Sequence, residues 1–178
     1  MSEEMVQQWE KQPMLRPRIE KVVVNLNVGK SGEPLEKAFR VLNEIAGQKP
    51  VKKNAKESIR DFGIRKGEPI ACVVTLRRQA AIAFLKKVLP VIDNKISKRS
   101  FDDRGNFAFG LKEHIEIPGV KYDPDIGIFG MDICVTINRP GDRVHDRRKR
   151  NASIGGKHVL TTEESIAFVK QLLGVEIV

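Results

Sequence analysis

Cations dominate the chemistry this sequence can do, and they are grouped. Between Lys49 and Lys66 stand seven Lys or Arg (Lys49, Lys52, Lys53, Lys56, Arg60, Arg65, Lys66) against two acids, Glu57 and Asp61. Clustered cations of this kind gain most beside a polyanion, whose condensed counterions they release. The surrounding stretch, Gly47 to Pro69, carries no helical or strand period. Gly47, Pro50, Gly63, Gly67 and Pro69 punctuate it as loop. A second block, Arg139 to Lys157, again holds seven Lys or Arg, with two acids and several glycines, and reads as an extended arm. Arg143, Arg147, Arg148, Lys149 and Arg150 are its candidate phosphate contacts. Either block could equally be a solvated surface.

Groups for catalysis or metal binding are not assembled locally. Gly29-Lys30-Ser31 follows a strand and precedes a helix, as a phosphate loop would, but the GxxxxGK pattern needs a glycine where Val24 stands. A plain strand-to-helix turn is the better reading. His114, His145 and His158 are scattered and read as ordinary polar or RNA-facing residues. Asp123-Pro-Asp125 lacks the later calcium ligand and glycine, with Gly127 and Ile128 in their places. Cys72 and Cys134 sit singly in apolar runs, so neither a disulfide framework nor a CxxC pair is available. No catalytic residue, metal or cofactor is expected.

The whole chain agrees with a polyanionic partner. Its 178 residues suit one domain with a real core, and +9 net charge with a pI near 9.7 favours nucleic acid or an anionic surface. No apolar run approaches the roughly 20 residues that span a bilayer, and the first residues lack the basic start and apolar core of a signal peptide. A cytosolic protein is expected.

The elements that must carry the basic segments follow from periodicity. Ile19 to Val28 alternates as a half-buried strand, with Val22, Val24, Leu26 and Val28 on one face. Pro34 to Ala46 shows the stripe of a helix that Gly47 stops. Ile70 to Arg78 reads as a second strand, and Gln79 to Leu89 as a helix ending at Pro90. A third strand is expected from Phe107 to Ile117, a fourth over Met131 to Asn138. Thr161 and Glu164 form a capping box for a final helix that docks back and ends at Gly174. Two-faced strands predict an α+β fold: a largely antiparallel sheet, helices packed on one face, the other face open, plus basic loop arms. One domain, 1–178, is expected, with the basic loop at 47–69, the arm at 139–158 and the docking helix at 161–174. The open face would present Asn25, Asn27, Thr75, Arg77, Thr136 and Asn138, suited to RNA sugars and phosphates. With few aromatic residues, base stacking is expected to be minor.

The segment Leu42 to Ser58, LNEIAGQKPVKKNAKES, closely resembles the signature of the L5 family of large-subunit ribosomal proteins. The similarity continues through RDFGIRKGEPIACVVTLR, FDDRGNFAFGLKEHIEIPGVKYDPDIGIFGMD and INRPGDRV, covering about Met14 to Gly174. The block after Asn138 and the last helix resemble the archaeal and eukaryotic form. This resemblance implies a structural, non-enzymatic protein that holds 5S rRNA against the 23S-type rRNA in the central protuberance, among other proteins there, in a cytoplasmic ribosome. It implies RNA contacts at Asn25, Asn27, Lys30, Gln48, Lys49 and Lys52, to which the neighbouring Lys53 is added. It implies that the loop from Ala55 to Pro69 approaches the P-site tRNA, which gives Lys56, Arg60, Arg65 and Lys66 that task. It also implies that the loop from Pro118 to Phe129 faces a protein of the small-subunit head. Two positions depart from the family pattern: Lys53 stands where a small hydroxyl residue is usual, and Asp142 where an aromatic follows the RPG turn. Two other functions are weighed: a nucleotide hydrolase using Gly29-Lys30-Ser31, and an RNA chaperone or regulator acting off the ribosome.

Overall fold

The computed structural model describes the backbone of residues 2–120 and 123–178, with side chains from residue 7 onward. Strand β1, Arg18–Asn27, is the spine. Its alternating residues Val22, Val24 and Leu26 are completely buried, while Lys21, Val23 and Asn25 between them are half-buried on the opposite face. β3 (Pro69–Arg77) and β6 (Met131–Asn138) flank it, both antiparallel. β2 (Val51–Asn54) adds to β3, and β5 (Phe107–Leu111) to β6, giving the order β2-β3-β1-β6-β5. Every pairing in this sheet is antiparallel, and the architecture is α+β.

Helices cover the apolar face because their own stripes match it. α2, Glu33–Ala46, buries Leu35, Ala38, Val41, Leu42 and Ile45, and Gly47 stops it at φ +63°. α3, Arg78–Val88, buries Ala81, Phe84, Leu85 and Val88, after which Pro90 turns the chain into a single 3-10 turn. α5, Thr162–Leu173, begins at the capping box of Thr161 and Glu164 and ends at Gly174, φ +66°. Its Phe168 receives Trp9 of α1 (Ser2–Lys11) edge-on, with ring centroids 6.3 Å apart. A small parallel pair, β4 (Lys95–Ile96) with β7 (Glu176–Ile177), ties the last residues to the body. All of these feed one continuous core.

Four expectations are corrected. The N-terminal residues, to which periodicity assigns no element before Ile19, form a helix, because Trp9 has a buried partner that local sequence does not reveal. The stretch 47–69 is not loop throughout: Val51–Asn54 forms a strand whose four side chains are all exposed. An edge strand held mainly by backbone pairing needs no apolar alternation. β5 stops at Leu111, because β6 begins at Met131, the partner of Leu111, and offers nothing beyond it. Ile115 and Ile117 belong instead to a 3-10 turn, His114–Glu116, and its vicinity. Lastly, the segment 139–158 is not uniformly extended: it contains a short helix, α4 (Arg143–Asp146), and a 3-10 turn at Gly156–His158. Its root is fixed by Arg139, 5% exposed, whose Nη2 pairs with Glu164 of α5 at 2.5 Å.

Candidate nucleic-acid interface

The open face of the sheet is ordered into rows by strand register. Lys21 stands between Arg77 and Thr136, giving a polar row with two cations. Thr75, Val23, Cys134 and Ala108 make the next row. Val51, Val73, Asn25, Asp132 and Gly110 follow. Lys53, Ala71 and Asn27 form the last. From Lys21 to Asn27 is six residues of strand, about 20 Å. Thus mostly small and apolar side chains, together with Asn25 and the exposed acid Asp132, occupy the middle of the face, and cations stand at its two ends. The face is less polar than its Asn and Thr residues alone suggest, since Val23, Val51, Val73, Ala71 and Ala108 share it. Small side chains leave a flat surface on which sugars can lie close.

The basic stretch 47–69 springs from one end of this face. Val28 and Gly29 both donate backbone N–H groups to the Ile70 carbonyl, at 3.2 and 3.1 Å, and the Ser31 hydroxyl bonds Glu68. That hydroxyl, followed by the Arg65 N–H, holds the Glu68 carboxyl below its usual pKa. The Gly29-Lys30-Ser31 turn therefore fastens the loop, with Lys30 exposed beside it. Gln48 and Lys49 are exposed in the turn after α2.

Lys52 and Lys53 part company because successive strand residues face opposite ways. Lys53 faces outward opposite Ala71, on the open face. Lys52 faces α2: it pairs with Glu36, and its ammonium lies 5.6 Å from the centre of the Phe39 ring. Of the two, Lys53 is the better placed for RNA.

Beyond β2 the loop is a small hairpin. Ala55 and Glu68 close its base, Ile59 and Ile64 bridge its middle, and Gly63 at φ +67° turns its tip. Lys56, Arg60, Arg65 and Lys66 are all exposed along it, and the Lys66 N–H donates to Ser58 Oγ at 2.8 Å. At the tip stands Phe62, 73% exposed, a residue that sequence reasoning missed. Its signal was an aromatic between Asp61 and Gly63 in a basic loop, a ring with no stripe to join.

Asn25 and Thr75 are half-buried on the face, and Asn27 and Arg77 are exposed, with Arg77 3.4 Å from Glu20. Arg143, in α4, lies beyond the opposite end of the sheet from the loop. Arg147, Arg148, Lys149 and Arg150 are exposed after it, Arg147 donating to the Arg150 carbonyl at 2.7 Å. The structure thus divides the expected contacts between two ends of the sheet. His145 is exposed, whereas His158 meets the Pro140 carbonyl at 3.0 Å. His114, expected to be an ordinary polar or RNA-facing residue, is buried at 3% exposure, and burial pushes its pKa down. Among the described residues no group of three or more His, Cys, Asp or Glu is placed to hold a metal ion, and no helix is long and apolar enough to cross a membrane.

Two family models match this chain: ribosomal protein L5 over residues 12–65, and the C-terminus of the same ribosomal family over residues 69–168, more than half of the chain. The chain belongs to the ribosomal protein L5 family. The large ribosomal subunit protein uL5 of Pyrobaculum aerophilum is 55% identical over 165 residues, 93% of this chain and 92% of that protein. Those of Aeropyrum pernix and Nitrosopumilus maritimus are 51% and 48% identical, covering 98% and 93% of this chain and 92% and 95% of their own lengths. These relatives are archaeal, and the L5 match extends through the basic segment after Asn138. The L5 proteins are structural ribosomal proteins, not enzymes. The boundary between the two L5 models falls inside the basic hairpin, yet the sheet takes strands from both sides of it.

Proposed function

We propose that this protein is a structural component of the large ribosomal subunit that binds 5S rRNA and helps attach it to the 23S-type rRNA in the central protuberance. The observation that carries the reading is the open face itself: a flat, small-residue surface with cations at both ends and a fastened basic hairpin at one of them. Lys30, Lys49 and Lys53 fix position on phosphates, while Asn25, Asn27, Thr75 and Gln48 reach 2′-hydroxyls and base edges. Arg77, Arg143, Arg147, Arg148, Lys149 and Arg150 extend the rRNA contact beyond the far end of the sheet. Lys52 supports the surface from beneath through Glu36 and Phe39.

The hairpin is the proposed contact for the P-site tRNA. Lys56, Arg60, Arg65 and Lys66 supply charge, and Phe62 at its tip adds a ring free to stack on a base. The loop from Pro118 to Phe129 is proposed to meet a protein of the small-subunit head, with Ile128 54% exposed on it; Lys121 and Tyr122 of this loop lie outside the described residues. Other central-protuberance proteins complete the proposed surroundings, and the protein is expected in the cytoplasm, bound to the ribosome.

The test is affinity for 5S rRNA across a salt series with tRNA as competitor. A complex that resists tRNA, its log affinity falling with log salt by several ion equivalents, supports a dedicated 5S rRNA binder. Equal affinity for both RNAs would reduce the hairpin and arm to general surface charge.

A further inference from the structure

One carboxylate stands where a surface for a polyanion calls for none. Asp132 lies exposed on β6 in the middle of the open face, with Asn25 of β1 as its partner on one side and Gly110 of β5 on the other. The cations of the face are at its two ends, and Arg77 is already taken by Glu20. Among the described residues Asp132 enters no ion pair, not even with Lys112 just past the end of β5.

The space beside this carboxylate is kept clear. A Cβ on Gly110 would lie 3.7 Å from Asp132 Oδ1, so the carboxylate leans over bare backbone. Gly110 has no left-handed φ that would require glycine, the β5–β6 ladder runs without a bulge, and a Cβ would find only ordinary contacts there. Backbone geometry therefore does not account for a glycine inside a strand. Such a glycine often marks the close approach of a ligand.

A carboxylate only accepts hydrogen bonds. Laid against RNA, it is repelled by the phosphates and loses water that only donors can replace. RNA offers donors at its 2′-hydroxyls and base edges. Guanine alone presents two adjacent donors, N1–H and N2–H, on its Watson–Crick edge, and these match the two oxygens of one carboxylate. Adenine and cytosine set a ring acceptor beside their amino group, and uracil sets a carbonyl on each side of N3–H. Each of these would turn an acceptor toward the second carboxylate oxygen. The remaining group of the guanine edge, O6, is an acceptor that the Asn25 amide can meet. Cα atoms paired as Asn25 and Asp132 are stand about 4.5–5.5 Å apart, the width of a base edge.

We propose that Asp132, with Asn25, reads the Watson–Crick edge of an unpaired guanine in the RNA laid on the open face, and so determines the specificity of this surface. The inference rests on the reading that this face holds 5S rRNA. The cations hold any RNA backbone; the carboxylate admits one base.

The test is the 5S rRNA affinity of the full chain and of Asp132→Asn and Gly110→Val, with tRNA for comparison and thermal melts to check folding. Asp132→Asn removes a negative charge from a surface facing a polyanion, so electrostatics alone predicts tighter binding to every RNA. Recognition of guanine predicts the opposite sign: 5S rRNA bound about tenfold more weakly, because asparagine turns an N–H toward a guanine donor, with tRNA affinity not reduced and the salt slope unchanged. Gly110→Val keeps the charge, suits a strand and fills the space for the base, and should weaken 5S rRNA binding similarly. Either variant decides alone should the other melt early. Transcripts with guanosine sparsely replaced by inosine, which lacks the N2 amino group, then locate the base. Positions at which inosine excludes RNA from the wild-type complex should cease to do so with Asp132→Asn. Unchanged or tighter 5S rRNA binding by Asp132→Asn, wild-type affinity in Gly110→Val, or the same inosine interference in both proteins would overturn the proposal. Interference from 2′-deoxy sugars in place of inosine would assign the carboxylate to a hydroxyl and overturn it too. A wild-type chain that does not prefer 5S rRNA to tRNA defeats the proposed function and the guanine site with it; a preference undiminished in Asp132→Asn defeats the guanine site alone.

Discussion

The Phe129 backbone N–H donates to Nδ1 of His114 at 3.2 Å, and the His114 N–H returns a bond to the Phe129 carbonyl at 3.0 Å. This pair closes the loop that begins at Pro118. Burial holds the His114 pKa below its ordinary 6.5, against the pull of Glu113 and Glu44. The folded state therefore prefers the neutral ring, and the unfolded state takes up the proton first. Stability from this group is fully present above about pH 6.5 and falls as pH drops below it, down to the lowered folded pKa. Denaturation midpoints at pH 7 and at about pH 5.5 should differ more in the wild type than in His114→Gln; equal differences would mean that His114 plays no part.

Gly105 and Ser165 set the contact between α5 and the turn before β5. The buried Ser165 hydroxyl donates to the Gly105 carbonyl, and a Cβ on Gly105 would lie 2.6 Å from Ser165 Cβ, at a φ of +76°. Gly105→Ala should cost about 2–4 kcal/mol in chemical denaturation, through overpacking and left-handed strain together. Ser165→Ala, which only removes the bond, should cost about 1 kcal/mol. A Gly105→Ala protein as stable as wild type would show that α5 can move away freely.

Lys49→Ala with Lys53→Ala should weaken 5S rRNA binding and reduce the log–log salt slope by about 2, leaving thermal stability unchanged. Lys52→Ala should do the reverse in kind: a small loss of stability, of order 0.5 kcal/mol from its exposed ion pair and ring contact, with little change of slope. Filter binding at several salt concentrations, beside thermal melts, separates the two.

Removing Arg60, Arg65 and Lys66 together should leave 5S rRNA affinity intact and weaken P-site tRNA binding to reconstituted subunits. Phe62→Leu should lower tRNA affinity with no change in salt slope, because it removes a stacking ring and no charge; roughly fivefold to tenfold is expected from stacking energies. A Phe62→Leu effect on 5S rRNA instead would relocate the hairpin.

Thr161→Ala removes a cap that accepts the Glu164 N–H, and should destabilise the protein by about 1 kcal/mol. Unchanged melting would mean that the Arg139–Glu164 pair alone holds the start of α5.

How far the residues spoke for themselves varied with the kind of contact. Val22, Val24 and Leu26, or Met131 to Ile137, alternate because each strand buries one face, and both were legible at once. The helix after Pro34 was equally plain. By contrast, Val51–Asn54 is a strand only because β3 offers backbone partners, and Trp9 is buried only because Phe168 lies across from it. Neither fact is local. Phe107 to Ile117 kept its period of two past the end of its partner strand, so pattern outran pairing. For the candidate site, the two basic blocks were visible as composition, whereas the opposite facing of Lys52 and Lys53 required register.

The pairing of β7 with β4 and the seat of Trp9 on α5 also bear on how this chain is made. Both contacts join residues near the end of the sequence to much earlier ones, giving a high contact order and a slow closing step. During synthesis, Trp9 and the turn before β5 wait uncovered until α5 has left the exit tunnel of the ribosome building it. A prematurely terminated chain would keep its basic hairpin while exposing core surface, and would fall to aggregation or proteolysis rather than compete for an assembly site.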